Sequence, residues 1–339
     1  MNSEKILIIG PSWVGDMMMA QSLFKLLKQH KPDCTIDVLA SAWTFALLKR
    51  MPEVSQAIPN PLNHGELKLK TRFQLAQQLK SSHYHQAIVL ANSFKSTLIP
   101  WFARIPKRTG WFGEMRFGVL NDARYLDEKK YPLMVEQYIA LGLPARAALP
   151  KGYPYPSLSI SAEQQQNVLQ QHQPIWRNRP ILALCAGAEF GPAKRWPINY
   201  YAEIANQKLR AGWDVWLFGS PKDKLVTDEI MTLTKHQCEN LAGRLPLDHT
   251  IDLLSLVSAV VTNDSGLMHI AAALNKPVIA LYGSTSPHFT PPLSSQAKIL
   301  RLNLECQPCF SRECPLKHHR CMQDLLPEHV LTAFAELGL

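Results

Sequence analysis

The stretch Val260-Val-Thr-Asn-Asp-Ser-Gly-Leu-Met-His-Ile-Ala-Ala-Ala-Leu-Asn-Lys-Pro-Val-Ile-Ala-Leu-Tyr-Gly-Ser284 decides the fold. An apolar run from Ala259 to Thr262 breaks at Asn263-Asp264-Ser265-Gly266, a helical segment of small residues carries the chain to Asn275, and Pro277 begins a second apolar run. The pattern predicts strand, tight turn, helix and strand. In a parallel α/β sheet such a turn lies at the carboxyl edge, where the new helix presents unpaired N–H groups and partial positive charge. A phosphate suits that position. Asp264 and Ser265 can cap the helix, and Gly266 lets an anion approach the backbone. A capped turn that binds nothing fits the turn alone equally well.

Working outward, 339 residues are long for one core, and two α/β domains are the expected division. With 46% of residues apolar, the chain should fold without disulfides. The Met1 to Gly10 segment has one short apolar run ending in a glycine turn, so neither a signal peptide nor a spanning helix is expected, and the protein should be cytoplasmic. A formal charge of +9 favours acidic partners such as nucleotides, phosphorylated lipids or an anionic membrane face. No nucleic-acid-binding motif is present, and no nucleic-acid partner is expected.

In the first half, Lys5 to Ile9 reads as a buried strand, and Gly10-Pro-Ser-Trp-Val-Gly15 as a turn into a helix from Asp16 to about His30. The glycine spacing resembles a P-loop, but Asp16-Met17 stands where Lys-Ser/Thr should follow, and Gly-x-Gly-x-x-Gly is absent. Asp16 at a helix start is either a dipole-stabilising cap or an acid able to take a proton from a bound hydroxyl. Strands over Thr35 to Ala40 and Gln86 to Ala91 follow, the second delivering Asn92-Ser-Phe-Lys-Ser96 to the same edge. Lys95, Lys107, Arg108, Arg116 and Arg124, interleaved with aromatic rings, could form one anion-receiving lip or be scattered surface cations.

From Leu143 to about Pro180 a proline- and glutamine-rich stretch with one helix near Ala162 to Gln171 reads as the linker. Ile181 to Cys185 opens the second domain and ends in Gly187-Ala-Glu-Phe-Gly-Pro-Ala-Lys-Arg-Trp-Pro197, a glycine-rich loop whose Lys194 and Arg195 suit an anion. Strand Asp214 to Phe218 delivers Asp223, which could hold ribose hydroxyls or cap the next helix. Three loops, carrying Lys194, Asp223 and Asp264, therefore converge on one edge.

Thr262 to His269, Gly187 to Pro197 and Ser12-Trp-Val-Gly-Asp16 together resemble the lipopolysaccharide heptosyltransferases, glycosyltransferase family 9. Asn92 to Ser96, Arg108-Thr-Gly-Trp111, Gly113-Glu-Met-Arg116, Leu120-Asn-Asp122 and Phe289 to Leu293 extend the likeness, which runs from about Lys5 to Leu302. The resemblance implies an α/β fold of GT-B architecture, two Rossmann-like domains with parallel sheets facing across a cleft. It implies an acceptor-binding domain over 1–160, an ADP-heptose-binding domain over 161–325, and a C-terminal helix over 326–339 that could pack back on the first. The implied reaction moves L-glycero-D-manno-heptose from ADP-heptose to the first heptose of the inner core, with inversion and without a required metal or other cofactor. The acceptor would be heptosyl-Kdo2-lipid A, with peripheral contact at the inner membrane.

By the same likeness Asp16 is the general base and Lys194 the partner of the departing diphosphate. Arg195, Asp223, Asp264, Ser265, Gly266 and His269 complete the donor site, with Asp223 on ribose and Asp264 on the heptose. Lys95, Arg108 and Arg116 would receive the acceptor. Another acceptor or sugar within the family, or a nucleotide-sugar epimerase or hydrolase of this fold, are the alternatives. Ala186 replaces an expected proline, and Asp223 stands where some relatives have a longer acid. Cys306-x2-Cys309-x4-Cys314-x6-Cys321, with His318 and His319 between, is dense enough to suggest zinc. Its spacing matches no standard knuckle, and four reduced cysteines folding a loop is the weightier reading.

Overall fold

The computed structural model describes residues 3–63 and 65–339. Met1 and Asn2, where the reading of the N-terminal segment begins, lie outside the described residues. The chain divides into two compact units, Met1–Pro156 and Ser157–Leu339.

The first unit alternates strands and helices: β1 Lys5–Ile9, α1 Val14–His30, β2 Thr35–Ala40, α2 Phe45–Leu48, β3 Gln56–Pro59 and α3 Leu69–Lys80. It continues through β4 Gln86–Val89, α4 Phe94–Phe102, β5 Lys107–Trp111, β6 Asp122–Arg124 and α5 Met134–Gly142. The six strands are parallel in the order β3-β2-β1-β4-β5-β6. Ile6, Leu7 and Ile8 are fully buried, as an unbroken apolar strand at the centre of a parallel sheet must be. Behind the sheet, α1 buries Met17, Met18, Leu23 and Phe24 and packs on α5. Gly142 permits that approach, because a Cβ there would overlap Leu23.

The second unit opens with α6 Ala162–His172, then β7 Ile181–Cys185, α7 Ile198–Arg210, β8 Asp214–Leu217, α8 Lys224–Leu233 and β9 Glu239–Asn240. There follow α9 Leu247–Leu254, β10 Ala259–Asn263, α10 Gly266–Ala273, β11 Val278–Tyr282, β12 Ala297–Arg301, α11 Arg320–Gln323 and α12 Pro327–Glu336. Its sheet is also parallel and six-stranded, in the order β12-β11-β10-β7-β8-β9. Counted from its own first strand, this is the same doubly wound order as the first unit. In each, the first and fourth strands are neighbours whose connections leave in opposite directions, and ligands bind above the carboxyl ends of such a pair.

One segment differs from its sequence reading. The basic stretch around Lys107 and Arg108, expected as surface lip, contains strand β5, because short strands interrupted by charge and glycine lack a clear alternation. Helix α6, inside the expected 161–325 span, lies in the second unit and packs on α9. A capping box starts it: Ser161 Oγ accepts from Gln164 N (3.1 Å) and Gln164 Oε1 from Ser161 N (2.9 Å). The last helix, α12, lays Val330, Ala333 and Phe334 into the second unit's core against α7, β11 and β12.

Candidate functional site

In the second unit the pair β7 and β10 delivers two loops to one place, and a buried amide joins them. Asn263, the last residue of β10, is wholly buried. Its Oδ1 accepts from Trp196 N (3.2 Å) and the Tyr201 hydroxyl (3.0 Å), while its Nδ2 donates to the carbonyls of Ala186 (2.9 Å) and Gly187 (3.3 Å). All of these bonds hold the glycine-rich loop in fixed register with the turn after β10.

On that platform Asp264 and Lys194 meet. Asp264 Oδ2 accepts from Lys194 Nζ at 2.6 Å and from Thr285 Oγ1 at 2.6 Å. The two charged side chains are only 6% and 13% exposed, so the pair acts in a medium that screens it weakly. The ammonium also lies 4.9 Å from the centre of the Phe190 ring, which the Arg312 guanidinium approaches at 5.5 Å. An ammonium has three N–H donors, and one is committed to Asp264 Oδ2. A second makes only a long contact of 3.4 Å with the Asp264 carbonyl, so the group can still serve an anion.

Ser265 caps α10 by accepting from Met268 N at 3.4 Å, and Gly266 is the helix's first residue. His269, one turn on, is buried, and that burial brings its imidazole down to about 4. The Lys194 charge acts in the same direction and Asp264 against it. The ring is therefore neutral at pH 7, and His269 contributes no charge to an anion site. Arg195 is exposed on the same loop as Lys194.

The third expected loop converges in a different manner. Asp223 Oδ2 accepts from Ser220 N (2.9 Å) and Ser220 Oγ (2.8 Å), reaching back as the third residue of a capping box whose N-cap is Ser220. Its carboxyl also lies against Gly187, where any Cβ would overlap it. Gly187 is thus the point at which the loops after β7, β8 and β10 touch, and only a residue without a side chain fits there.

In the first unit the equivalent pair is β1 and β4. Asp16 is half-buried in the first turn of α1, close enough to raise the Tyr138 phenol electrostatically, though burial is the larger cause of that rise. Trp43 Nε1 donates to Ser12 O (2.9 Å), tying the turn before α1 to the loop after β2. Arg116, 1% exposed, donates through Nη1 to Ala91 O (3.1 Å) and through Nη2 to Asn92 Oδ1 (3.4 Å). Glu114 Oε2 accepts from Phe94 N (2.7 Å). Together these contacts fasten the loop after β5 to the start of α4, where Lys95 is half-buried.

The expected anion-receiving lip is not one surface. Lys95 and Arg116 follow strands at the carboxyl edge, whereas Lys107 and Arg108 begin β5 at the amino edge, a strand's length of roughly 17 Å away. Arg108 is bound there by its donors to the carbonyls of Val119 (2.7 Å) and Ile105 (2.6 Å). Arg124 likewise holds Asp122 and the carbonyls of Ala140 and Leu143. A depression of about 480 Å³ lined by Lys107, Asp122 and Arg124 lies beside these residues, and Asp16 is not among those that line it.

Thr285, Asn263 and Phe190 are the residues that sequence reasoning left out of the site. Asn263 and Phe190 stand inside the motifs quoted for it, and Thr285 follows the Gly283-Ser284 pair just after β11. A small polar run after a buried strand was the available signal.

Residues 72–320 match glycosyltransferase family 9 (heptosyltransferase). The chain is 49% identical over 336 residues to lipopolysaccharide heptosyltransferase 2 of Escherichia coli strain K12, covering 96% of each. It is 47% identical over 346 residues to lipooligosaccharide heptosyltransferase 2 of Haemophilus influenzae, covering 98% of this chain and 99% of that one. The solved structure of E. coli ADP-heptose lps heptosyltransferase II superposes with a TM-score of 0.88 at 46% identity, covering 98% of both chains.

Proposed function

The chain belongs to glycosyltransferase family 9, the heptosyltransferases, and we propose from that premise how its residues divide heptosyl transfer between them. It is an α/β enzyme of GT-B architecture that transfers heptose in the assembly of the lipopolysaccharide inner core. The donor is ADP-L-glycero-D-manno-heptose, the acceptor the first heptose of heptosyl-Kdo2-lipid A, and the outcome inversion at the anomeric carbon. The observation that supports this reading best is the Lys194–Asp264–Thr285 set above the carboxyl ends of β7 and β10.

Displacement at an anomeric carbon develops positive charge on the sugar and negative charge on the departing phosphate oxygen. Lys194 and the first N–H groups of α10, around Ser265 and Gly266, stabilise that oxygen without a metal. Asp264 holds heptose hydroxyls and keeps Lys194 in place. His269, being neutral, packs beneath the turn, and Arg195 adds positive charge at its outer side. Asp223 acts on the ribose through the capping box it completes and through Gly187. On the first unit Asp16 takes the proton of the attacking hydroxyl, while Lys95 meets the acceptor and Arg116 fixes Asn92 beside it. Arg108 supports that side by holding β5 and β6.

The test offers purified protein ADP-heptose with acceptors carrying one heptose or none. Transfer only to the mono-heptosylated acceptor, with inverted stereochemistry, is expected. Release of free ADP and heptose without acceptor, or an epimerised sugar nucleotide, would favour the hydrolase or epimerase reading instead.

Among the described residues no helix is long and apolar enough to cross a membrane. The acceptor is a lipid, and a cytoplasmic enzyme reaches it by peripheral contact. The charge of +9 and the exposed Met115, Phe117 and Tyr125 support such contact. Sedimentation with anionic vesicles that weakens as salt rises is the expected result, and equal binding to neutral vesicles would count against it.

A further inference from the structure

The cysteine-rich segment between β12 and α12 has no part in the chemistry above, yet it is built against the donor loops. Ala193 N donates to Arg312 O (3.0 Å), Gln307 Nε2 to Gly283 O (2.9 Å), and Phe310 N to Ser284 O (2.7 Å). Trp196 Nε1 donates to Leu325 O at 2.6 Å. Gly191 faces Arg312 so closely that a Cβ would overlap its carbonyl, and a Cβ on Gly283 would lie 2.6 Å from Met322 Sδ. The loop that carries Lys194 and the turn that carries Thr285 therefore rest on this segment.

Within the segment, a cavity of about 20 Å³ is lined by Cys306, Cys309, Cys314, Cys321, His318 and Ser284. That volume holds about one water-sized particle. All four cysteines are free thiols. Ser284 is 1% exposed, and its hydroxyl has no hydrogen-bond partner, although it borders a ring of sulfurs. A buried hydroxyl in that condition calls for an acceptor, and a thiolate is one. His318 Nδ1 already accepts from Arg320 N at 3.0 Å, which leaves the four sulfurs as the matched set.

We propose that Cys306, Cys309, Cys314 and Cys321 bind one zinc ion in this cavity, and that the ion is structural, bracing the loops that present Lys194 and Thr285. Four thiolates around a closed tetrahedral site match zinc's preference for soft ligands. Among the described residues no three His, Cys, Asp or Glu side chains are already gathered at ligand spacing. The cysteines ring the cavity without closing on its centre, and one χ1 step moves a sulfur by about 3 Å. Binding exchanges four S–H protons for four Zn–S bonds and needs no oxidant. The resulting charge of the site is offset by Arg312, Lys317 and Arg320, all exposed around it. The proposal is independent of the transfer reading, since metal content and heptosyl transfer can each fail alone.

The full chain, purified under reducing conditions from zinc-supplemented culture, should carry about one zinc per chain by elemental analysis. Cobalt in its place should show the sulfur-to-metal charge-transfer bands of a tetrahedral thiolate site. Cys309→Ser and Cys314→Ser should each lower zinc content at least severalfold and lower the thermal midpoint, while Cys34→Ser in the first unit leaves zinc content unchanged. Where the serine variants fail to fold, zinc release from the intact protein by a thiol-reactive mercurial gives the same count. Zinc below about a tenth of an equivalent with four titratable thiols, iron in its place, or a disulfide among the four cysteines would each overturn the assignment.

Discussion

The two units share a strand order but fill its switch point with opposite chemistry. Above β7 and β10, a buried amide and a buried ion pair lock small-residue loops together, leaving donors and positive charge for an anion. Above β1 and β4, the Asp16 carboxylate stands in the first turn of α1, and buried Arg116 fastens the neighbouring loops through backbone carbonyls. On the reading proposed above, one arrangement would receive negative charge and the other would take up a proton. Topology sets where a ligand is met, and the side chains on otherwise equivalent loops set what is done to it.

The sharpest way to break this contrast is Asp16→Ala. Loss of a general base should lower kcat by roughly 10²–10⁴-fold while donor affinity holds within about twofold. A parallel loss of donor binding, read by calorimetry, would erase the division between the units. Lys194→Ala should come next, lowering turnover on the order of ten- to a thousandfold and weakening ADP-heptose binding as well. If its donor affinity equals that of the unaltered protein, the anion-receiving half of the contrast is wrong.

His269 sharpens the comparison through pH. Its imidazole stands at about 4 in the folded chain against an ordinary 6.5, so below pH 6.5 the unfolded chain takes up a proton that the folded chain refuses. Stability should therefore fall as the pH drops from 6.5 towards 4, by on the order of 3 kcal/mol over that window. Urea denaturation across this range should show the fall, and a His269→Gln protein should show less of it. An unchanged slope would mean that the ring is not held neutral by its burial. Thr285→Val should have the smallest effect. Removing one hydroxyl from Asp264 should cost about 1 kcal/mol and raise the donor KM severalfold with little change in kcat. A kcat loss as large as that of Lys194→Ala would place Thr285 among the groups that touch the leaving oxygen.

Much of this was legible in the chain. The β10–α10–β11 stretch carries its own punctuation in Asn263, Gly266 and Pro277, so one apolar run, one turn and one helix follow without tertiary information. Lys194 and Asp264 were legible as candidates, but their pairing was not, because 70 residues separate them and only the sheet brings them together. β5 was hidden because Lys107, Arg108 and Gly110 do not alternate in polarity. Whether those cations form one lip or are scattered stayed open for the same reason: sequence proximity does not tell which edge of a sheet a residue stands on. Asp223 was read as a ribose contact or a cap of the next helix, and its side chain instead reaches back to Ser220 in the turn before that helix.

The contact between Lys194 and Asp264 has a bearing on selectivity. An incoming bare anion such as inorganic phosphate meets a carboxylate 2.6 Å behind the ammonium that attracts it, and the repulsion of the one offsets the pull of the other. A molecule that brings hydroxyls along with its charge can hydrogen-bond to the carboxylate and turn that penalty into a contact. If Lys194 receives the donor's diphosphate as proposed, the pair would favour a phosphate that arrives with a sugar attached over bare inorganic phosphate.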